Sequence, residues 1–187
     1  MGTYDHLDNQ PNDKVGQPSL DRSIVLVGMM GVGKTSIGKR LAARLGCDFV
    51  DADEEIERAA GMPIPEIFSK FGEPYFRDGE RRVVARLIEG EAKVIATGGG
   101  AFINDSTRAL ILAQAVSIWL DADIAVLAER VARRNNRPLL KGKDPVEVLT
   151  ELGKVRNPLY AAANIHIRSD ASPHARTVEN ILKAISR

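Results

Sequence analysis

The chain carries a single cysteine, almost no net charge and no long apolar run, and each of these shortages excludes something. Cys47 has no partner for an internal disulfide, so the fold requires no oxidising compartment. It stands beside an apolar segment and reads as a small buried side chain rather than a reactive thiol. The 26 basic and 25 acidic residues leave a net charge of +1. A surface for nucleic acid or anionic membrane needs a basic excess, so no such partner is expected and clusters of arginine need a local explanation. No apolar stretch approaches the ~20 residues of a membrane span. The N-terminus lacks the apolar segment of a signal peptide. Met1-Gly2 is not completed into a myristoylation motif, because His6 stands where Ser or Thr is required. The expected location is the cytoplasm.

What is present is an alternation. Residues 1 to about 21 are rich in Asp, Asn, Gln, Gly and Pro without apolar periodicity, and are expected to form a disordered tail. From residue 22 to 187 short β-branched runs alternate with helical patterns. Ser23–Val27, Asp48–Val50, Lys93–Thr97, Ala115–Leu120 and Asn164–Arg168 read as strands. Ile37, Leu41 and Leu45 make a helix stripe that stops at Gly46. Pro65 and Pro74 each suit the first turn of a helix, and Asp144-Pro145-Val146-Glu147 has a cap, a proline and a Glu in helix-start order. Trp119 reads as core, and His166, between Ile165 and Ile167, as pointing away from it. This pattern predicts one α/β domain with a central five-stranded parallel sheet flanked by helices on both faces. In such sheets ligands bind beyond the C-terminal strand ends.

The strongest motif follows the first strand. Gly28-Met29-Met30-Gly31-Val32-Gly33-Lys34-Thr35 has the spacing of a phosphate loop. Its glycines allow backbone N–H groups to point inward, and the helix behind it aims its positive end at the same point. Lys34 suits the outer phosphates of a nucleoside triphosphate, and the Thr35 hydroxyl suits Mg²⁺.

Three uses of the triphosphate compete: a small-molecule kinase, a GTP switch, and a motor or assembly ATPase. No Asn-Lys-x-Asp guanine motif occurs, and the third strand ends in Thr97-Gly98-Gly99-Gly100 rather than in an acidic residue. The kinase remains. Asp51-Ala52-Asp53, read as an extended dipeptide, points both carboxylates to one face. One of them could hold Mg²⁺ and the other accept the proton of an attacking hydroxyl. Alternatively they begin an acidic helix start with Glu54 and Glu55. Arg77 and Arg156 can each fork onto a carboxylate. Arg137 lies in a basic segment, about 133–145, that could close as a lid. None of His6, His166 and His174 receives a role.

In order along the chain, Gly28 to Thr35, Asp51-Ala52-Asp53, Gly72-Glu73 with Phe76-Arg77, Thr97 to Gly100, Arg137-Pro138-Leu139-Leu140 and Arg156-Asn157-Pro158-Leu159-Tyr160 resemble shikimate kinase. The resemblance implies a P-loop kinase fold with a lid. It implies transfer of phosphate from ATP to the 3-hydroxyl of shikimate, in aromatic amino-acid biosynthesis, with Mg²⁺ as cofactor and a monomeric protein. Lys34, Asp53 and Arg137 would then be catalytic. Gly31, Val32, Gly33, Lys34, Thr35, Ser36, Arg133, Arg137 and Pro173 would hold the nucleotide, with Arg133 and Pro173 at the adenine. Asp53, Arg77, Arg156, Gly98, Gly99 and Gly100 would hold shikimate between Phe68 and Phe76, and Thr35 and Asp51 the metal. A gluconate or related sugar-acid kinase is the alternative.

Overall fold

Strands buried on both faces must be apolar throughout, and this requirement shapes the centre of the molecule. The structure is a computed structural model that describes residues 20–133, 142–169 and 173–186. Five strands form one parallel sheet: β1 (Ile24–Val27), β2 (Phe49–Asp51), β3 (Val94–Ala96), β4 (Val116–Asp121) and β5 (Ile165–Arg168). Their order is β2-β3-β1-β4-β5. The central strands β1 and β3 are wholly buried. Ile24 pairs with Val94 on one side and Val116 on the other. Each strand lies within a residue or so of the run expected for it.

Seven helices among the described residues cover the sheet: α1 (Lys34–Leu45), α2 (Ala52–Ala60), α3 (Ile64–Glu89), α4 (Asp105–Gln114), α5 (Ile124–Ala132), α6 (Pro145–Tyr160) and α7 (His174–Ile185). A 3-10 turn spans Ala101–Ile103. Parallel strands require right-handed crossovers, which carry α1 to one face and α4 and α6 to the other. The packing agrees: α1 lies against α7, α3 against α4, and α5 against α6. The expected stripe Ile37, Leu41 and Leu45 is buried, and α1 ends at Gly46 in the left-handed conformation. Asp144 caps α6 by accepting from the Val146 N–H, with Pro145 next.

α3 is two helical runs. Gly72, at φ 80, is not helical, and Pro74 follows it. A proline inside a helix removes one backbone hydrogen bond and crowds the preceding turn, so the chain breaks there and starts again. Phe76, Arg77 and Glu80 therefore belong to a run with its own beginning.

Trp119 is core, and the exposed His166 stacks on it at 4.0 Å between ring centroids. Trp119 also touches Tyr160, at 6.0 Å, and lies against Gly28. Cys47 packs against the core, and burial pushes its thiol up, away from reactivity. No helix of the described residues is long and apolar enough to cross a membrane. The expected tail lies outside the described residues except for Leu20 and Asp21, and Leu20 packs against the core. Of the expected lid, residues 134–141 lie outside them, Arg137 included.

Candidate active site

The strand order reverses around β1, and the loops after β1 and β3 open on the crevice this creates. The loop after β1 turns at Gly28, where φ is 134. A Cβ there would stand 2.3 Å from the Leu120 carbonyl oxygen, so only glycine fits. The loop leads into α1. α1, like α5 and α7, has neither a side-chain cap nor an acidic residue in its first turn. Its leading N–H groups and dipole are thus directed at the crevice without internal competition. Lys34 folds back over the loop, and its Nζ donates to Gly28 O at 2.7 Å and Met29 O at 3.0 Å.

Asp51 ends β2 and caps α2. Its Oδ1 accepts from the Asp53 N–H at 3.1 Å, and its Oδ2 accepts from Thr35 Oγ1 at 2.9 Å. The expected extended dipeptide is therefore not what forms: the strand stops at Asp51, and Ala52 already begins the helix. The acidic helix-start reading describes the backbone. Both carboxylates nevertheless line one cleft, because Asp53 sits in the first turn of α2. Burial pushes the Asp53 carboxyl above the usual carboxylate range. The charge of Asp51 adds to this and Lys34 opposes it.

The glycines after β3 have a specific spatial task. A Cβ on Gly98 would meet Asp53 Oδ1 at 2.7 Å, one on Gly99 would meet Arg156 Nη1 at 3.3 Å, and one on Gly100 would meet Arg77 Nη2 at 2.5 Å. Each glycine thus leaves room for one of the three charged side chains singled out in the sequence. Arg156 also donates to Gly99 O at 3.3 Å, and the Tyr160 hydroxyl donates to the same oxygen at 2.5 Å. Tyr160 is wholly buried, and burial pushes its hydroxyl up to about 12, so it stays a donor.

Arg77 is fixed from its own helix. Its Nη1 donates to Glu80 Oε2 at 2.7 Å and its Nε to Glu73 Oε1 at 3.2 Å. Glu80 is 1% exposed, and burial pushes its carboxyl up against the pull of Arg77. The Arg77 guanidinium lies 5.0 Å from the centre of the Phe76 ring. Phe76 itself is buried and packs on Phe68, tilted, at 4.5 Å between ring centroids. Neither ring lines the clefts described next; Phe76 supports Arg77 from within the core.

Two adjoining clefts result. The first, about 430 Å³, is lined by the phosphate loop with Lys34, Thr35 and Ser36, by Asp51, Asp53, Gly98 and Gly99, and by Arg130, Arg133 and His174. The second, about 610 Å³, holds Arg77, Arg156 and Gly100. Val32 is buried and offers only its backbone, while Pro173 is exposed just before α7. Arg133 reaches the first cleft but pairs with Glu129 at 2.5 Å and is 76% exposed. Arg130, one turn earlier, lines the same cleft and donates to Val32 O at 3.4 Å. Arg130 and Glu80 are not singled out by the sequence, and His174 and Tyr160 carry no role there. Helical spacing from Arg133 and from Arg77 was the available signal for Arg130 and Glu80, and Tyr160 closes the Arg-Asn-Pro-Leu-Tyr run.

The hydroxyl of Thr35 and the carboxylate of Asp51, in contact at the cleft wall, are hard oxygen donors. Few protein ligands beside phosphate and water suit Mg²⁺, so the pair fits that ion.

A family profile described as shikimate kinase matches residues 30–186. A shikimate kinase of Novosphingobium aromaticivorans is 56% identical over 185 residues, covering 97% of this chain and 95% of that one. The solved structure of a shikimate kinase from Acinetobacter baumannii in complex with shikimate superposes with a TM-score of 0.83 at 39% identity, covering 88% of this chain and 92% of that one. A gluconokinase from Sinorhizobium meliloti superposes with a TM-score of 0.60 at 23% identity, covering 88% and 91%, and shares the fold alone. With a family profile spanning residues 30–186 and a relative 56% identical over 185 residues, the chain belongs to the shikimate kinase family.

Proposed function

We propose that this protein transfers the γ-phosphoryl group of ATP to the 3-hydroxyl of shikimate, giving shikimate 3-phosphate and ADP, in aromatic amino-acid biosynthesis. The observation that carries this reading is the position of Asp53. Its carboxyl lines the cleft of the phosphate loop and rests on Gly98, next to the glycines that seat Arg156 and Arg77. A hydroxylated carboxylic acid suits that arrangement, with its hydroxyls toward Asp53 and its carboxylate toward the two arginines.

Each residue then has a physical task. Arg77 and Arg156 fork onto the carboxylate and fix the ring, converting an encounter into an oriented attack. Glu80 and Tyr160 position them, one through Arg77 and the other through Gly99. Asp53 accepts the proton of the attacking hydroxyl. Its burial makes it a stronger base than an exposed aspartate. Lys34 and the first N–H groups of α1 bind the phosphates, and Ser36 lies on the same wall. Arg137 is assigned to the charge of the moving phosphoryl group, and Arg133 and Pro173 to the adenine, with Arg130 lining the same cleft as Arg133. Mg²⁺ held by Thr35 and, through water, by Asp51 would neutralise phosphate charge. We infer a monomer acting in the cytoplasm.

ADP release measured in parallel with shikimate, gluconate and nucleoside monophosphates tests the reading. Turnover with shikimate alone is the expected result; faster turnover with gluconate would replace it with the sugar-acid alternative.

A further inference from the structure

The strongest unassigned group is His174, the first residue of α7. Its ring lines the cleft shared by Gly33, Lys34 and Thr35. It lies directly on the phosphate loop: the position a Cβ would take on Gly33 is 3.0 Å from His174 Cε1 and 3.4 Å from Nε2. Nδ1 is buried and meets no hydrogen-bond partner among the described residues. A buried N–H without an acceptor is rarer in proteins than an unused lone pair. With Nδ1 unpartnered among the described residues, the tautomer that suits this site carries its hydrogen on Nε2, at the edge beside the loop.

The charges around the ring agree. Arg130 on α5 lines the same cleft, and the charges of Arg130 and of Arg40 on α1 both act on the ring. Lys34 and Arg133 share its cleft, with Asp51 and Asp53 on the wall beyond, and Arg176 follows on α7 itself. Burial, then Arg130 and Arg40, push the imidazole below its ordinary range. At neutral pH it is an uncharged donor in positive surroundings, and an oxyanion is the group such surroundings attract.

We propose that His174 donates a hydrogen bond from Nε2 to a phosphate oxygen of the nucleotide seated on the phosphate loop, an assignment that rests on the nucleotide reading of this cleft. The residue adds a side-chain donor to the rim that Lys34 and the loop N–H groups begin. It acts on nucleotide affinity, whereas Arg77 and Arg156, seated on Gly100 and Gly99, line the second cleft, which His174 does not reach.

Calorimetric titration of the full chain with ADP and, separately, with shikimate tests this, together with the melting temperature of the free protein. His174→Ala should raise the Kd for ADP about tenfold, the loss expected for one hydrogen bond to a charged acceptor. The Kd for shikimate and the melting temperature should stay at parental values. His174→Gln carries an amide N–H at comparable reach and should recover most of the ADP affinity. Parental ADP affinity in His174→Ala would overturn the proposal. So would equal losses for ADP and shikimate with a lowered melting temperature, or a Gln variant no better than Ala. A parent protein that binds shikimate but no ADP would overturn the nucleotide reading itself, and the proposal with it.

Discussion

The donor side of the site takes its floor from one run of chain, Gly28 to Ser36, with Arg130 and His174 added at its rim, whereas the acceptor side is assembled from α2, α3, α6 and the turn after β3. The donor side works mainly with backbone, through a tight turn at Gly28 and the uncapped start of α1. The acceptor side works with charged side chains, each needing a neighbour to hold it: Asp53 on Gly98, Arg156 on Gly99 and Arg77 on Gly100, with Glu80 behind. A local backbone site depends on little beyond itself. A side-chain site built from four elements depends on every contact that orients it, so it can be dismantled piece by piece while the donor side stands.

The most severe test of that contrast is Asp53→Asn. Loss of a general base should lower kcat about 10³-fold, with the Kd for ADP unchanged by calorimetry. Burial of a charge also has a thermodynamic signature. The Asp53 carboxyl is raised on folding, with burial the leading cause, so the native chain holds that proton more readily than the unfolded one. Its contribution to stability is present below the ordinary aspartate range and is lost as pH rises through the raised value. Asparagine has no charge to bury, and the variant should melt at or above the parent at neutral pH. In the parent, the acidic limb of the kcat profile should lie above the usual carboxylate range, since activity requires the unprotonated group. If ADP affinity fell along with kcat, the two sides would not be independent.

Arg77→Ala comes next. Removing one charge-assisted contact should raise the KM for the acid by about 10²-fold and leave the KM for ATP alone. It also strands Glu80, a buried carboxylate, so melting temperature should fall. The double variant Arg77→Met with Glu80→Gln separates the two effects: melting should recover while acid binding does not. Recovery of acid binding in the double variant would remove Arg77 from the substrate.

Gly100→Ala is smaller. The added methyl meets Arg77 Nη2, the flexible end of a side chain, which must move. About tenfold in the acid KM is expected from displacement on the scale of overpacking. Equal losses in ATP and acid would mean that the turn itself had shifted. Tyr160→Phe should have the least effect. One hydrogen bond to Gly99 O disappears, for about 1 kcal/mol of stability by denaturant unfolding. A large rate loss would give the hydroxyl a role beyond support.

The same contrast explains what could be read from the sequence. The five strands were legible because central parallel strands must be apolar runs, and the phosphate loop because its parts are contiguous. Asp51 and Asp53 stand out in the sequence, and of the two backbone readings open there the helix start is the one that forms. β2 is so short that its last residue is also the cap of α2, and the acids after Asp53 carried that information. Glu80 and Arg130 stayed hidden because one more charge on a helix looks solvated until a neighbour is seen to bury or face it. His174 stayed hidden because nothing local in the sequence says that α7 begins over Gly33. Arg77 and Arg156 stood out only as members of an ordered family pattern, which is how residues so far apart in the chain become legible together.

Trp119 lends itself to a different use. It is the only tryptophan in the chain. It lies against Gly28, where the donor loop begins, and beside Tyr160, whose hydroxyl holds Gly99 on the acceptor side. The protein thus carries its own optical probe at the seam between its two substrates. Its emission, with the His166 ring stacked on the indole, allows each ligand to be titrated in turn without a label.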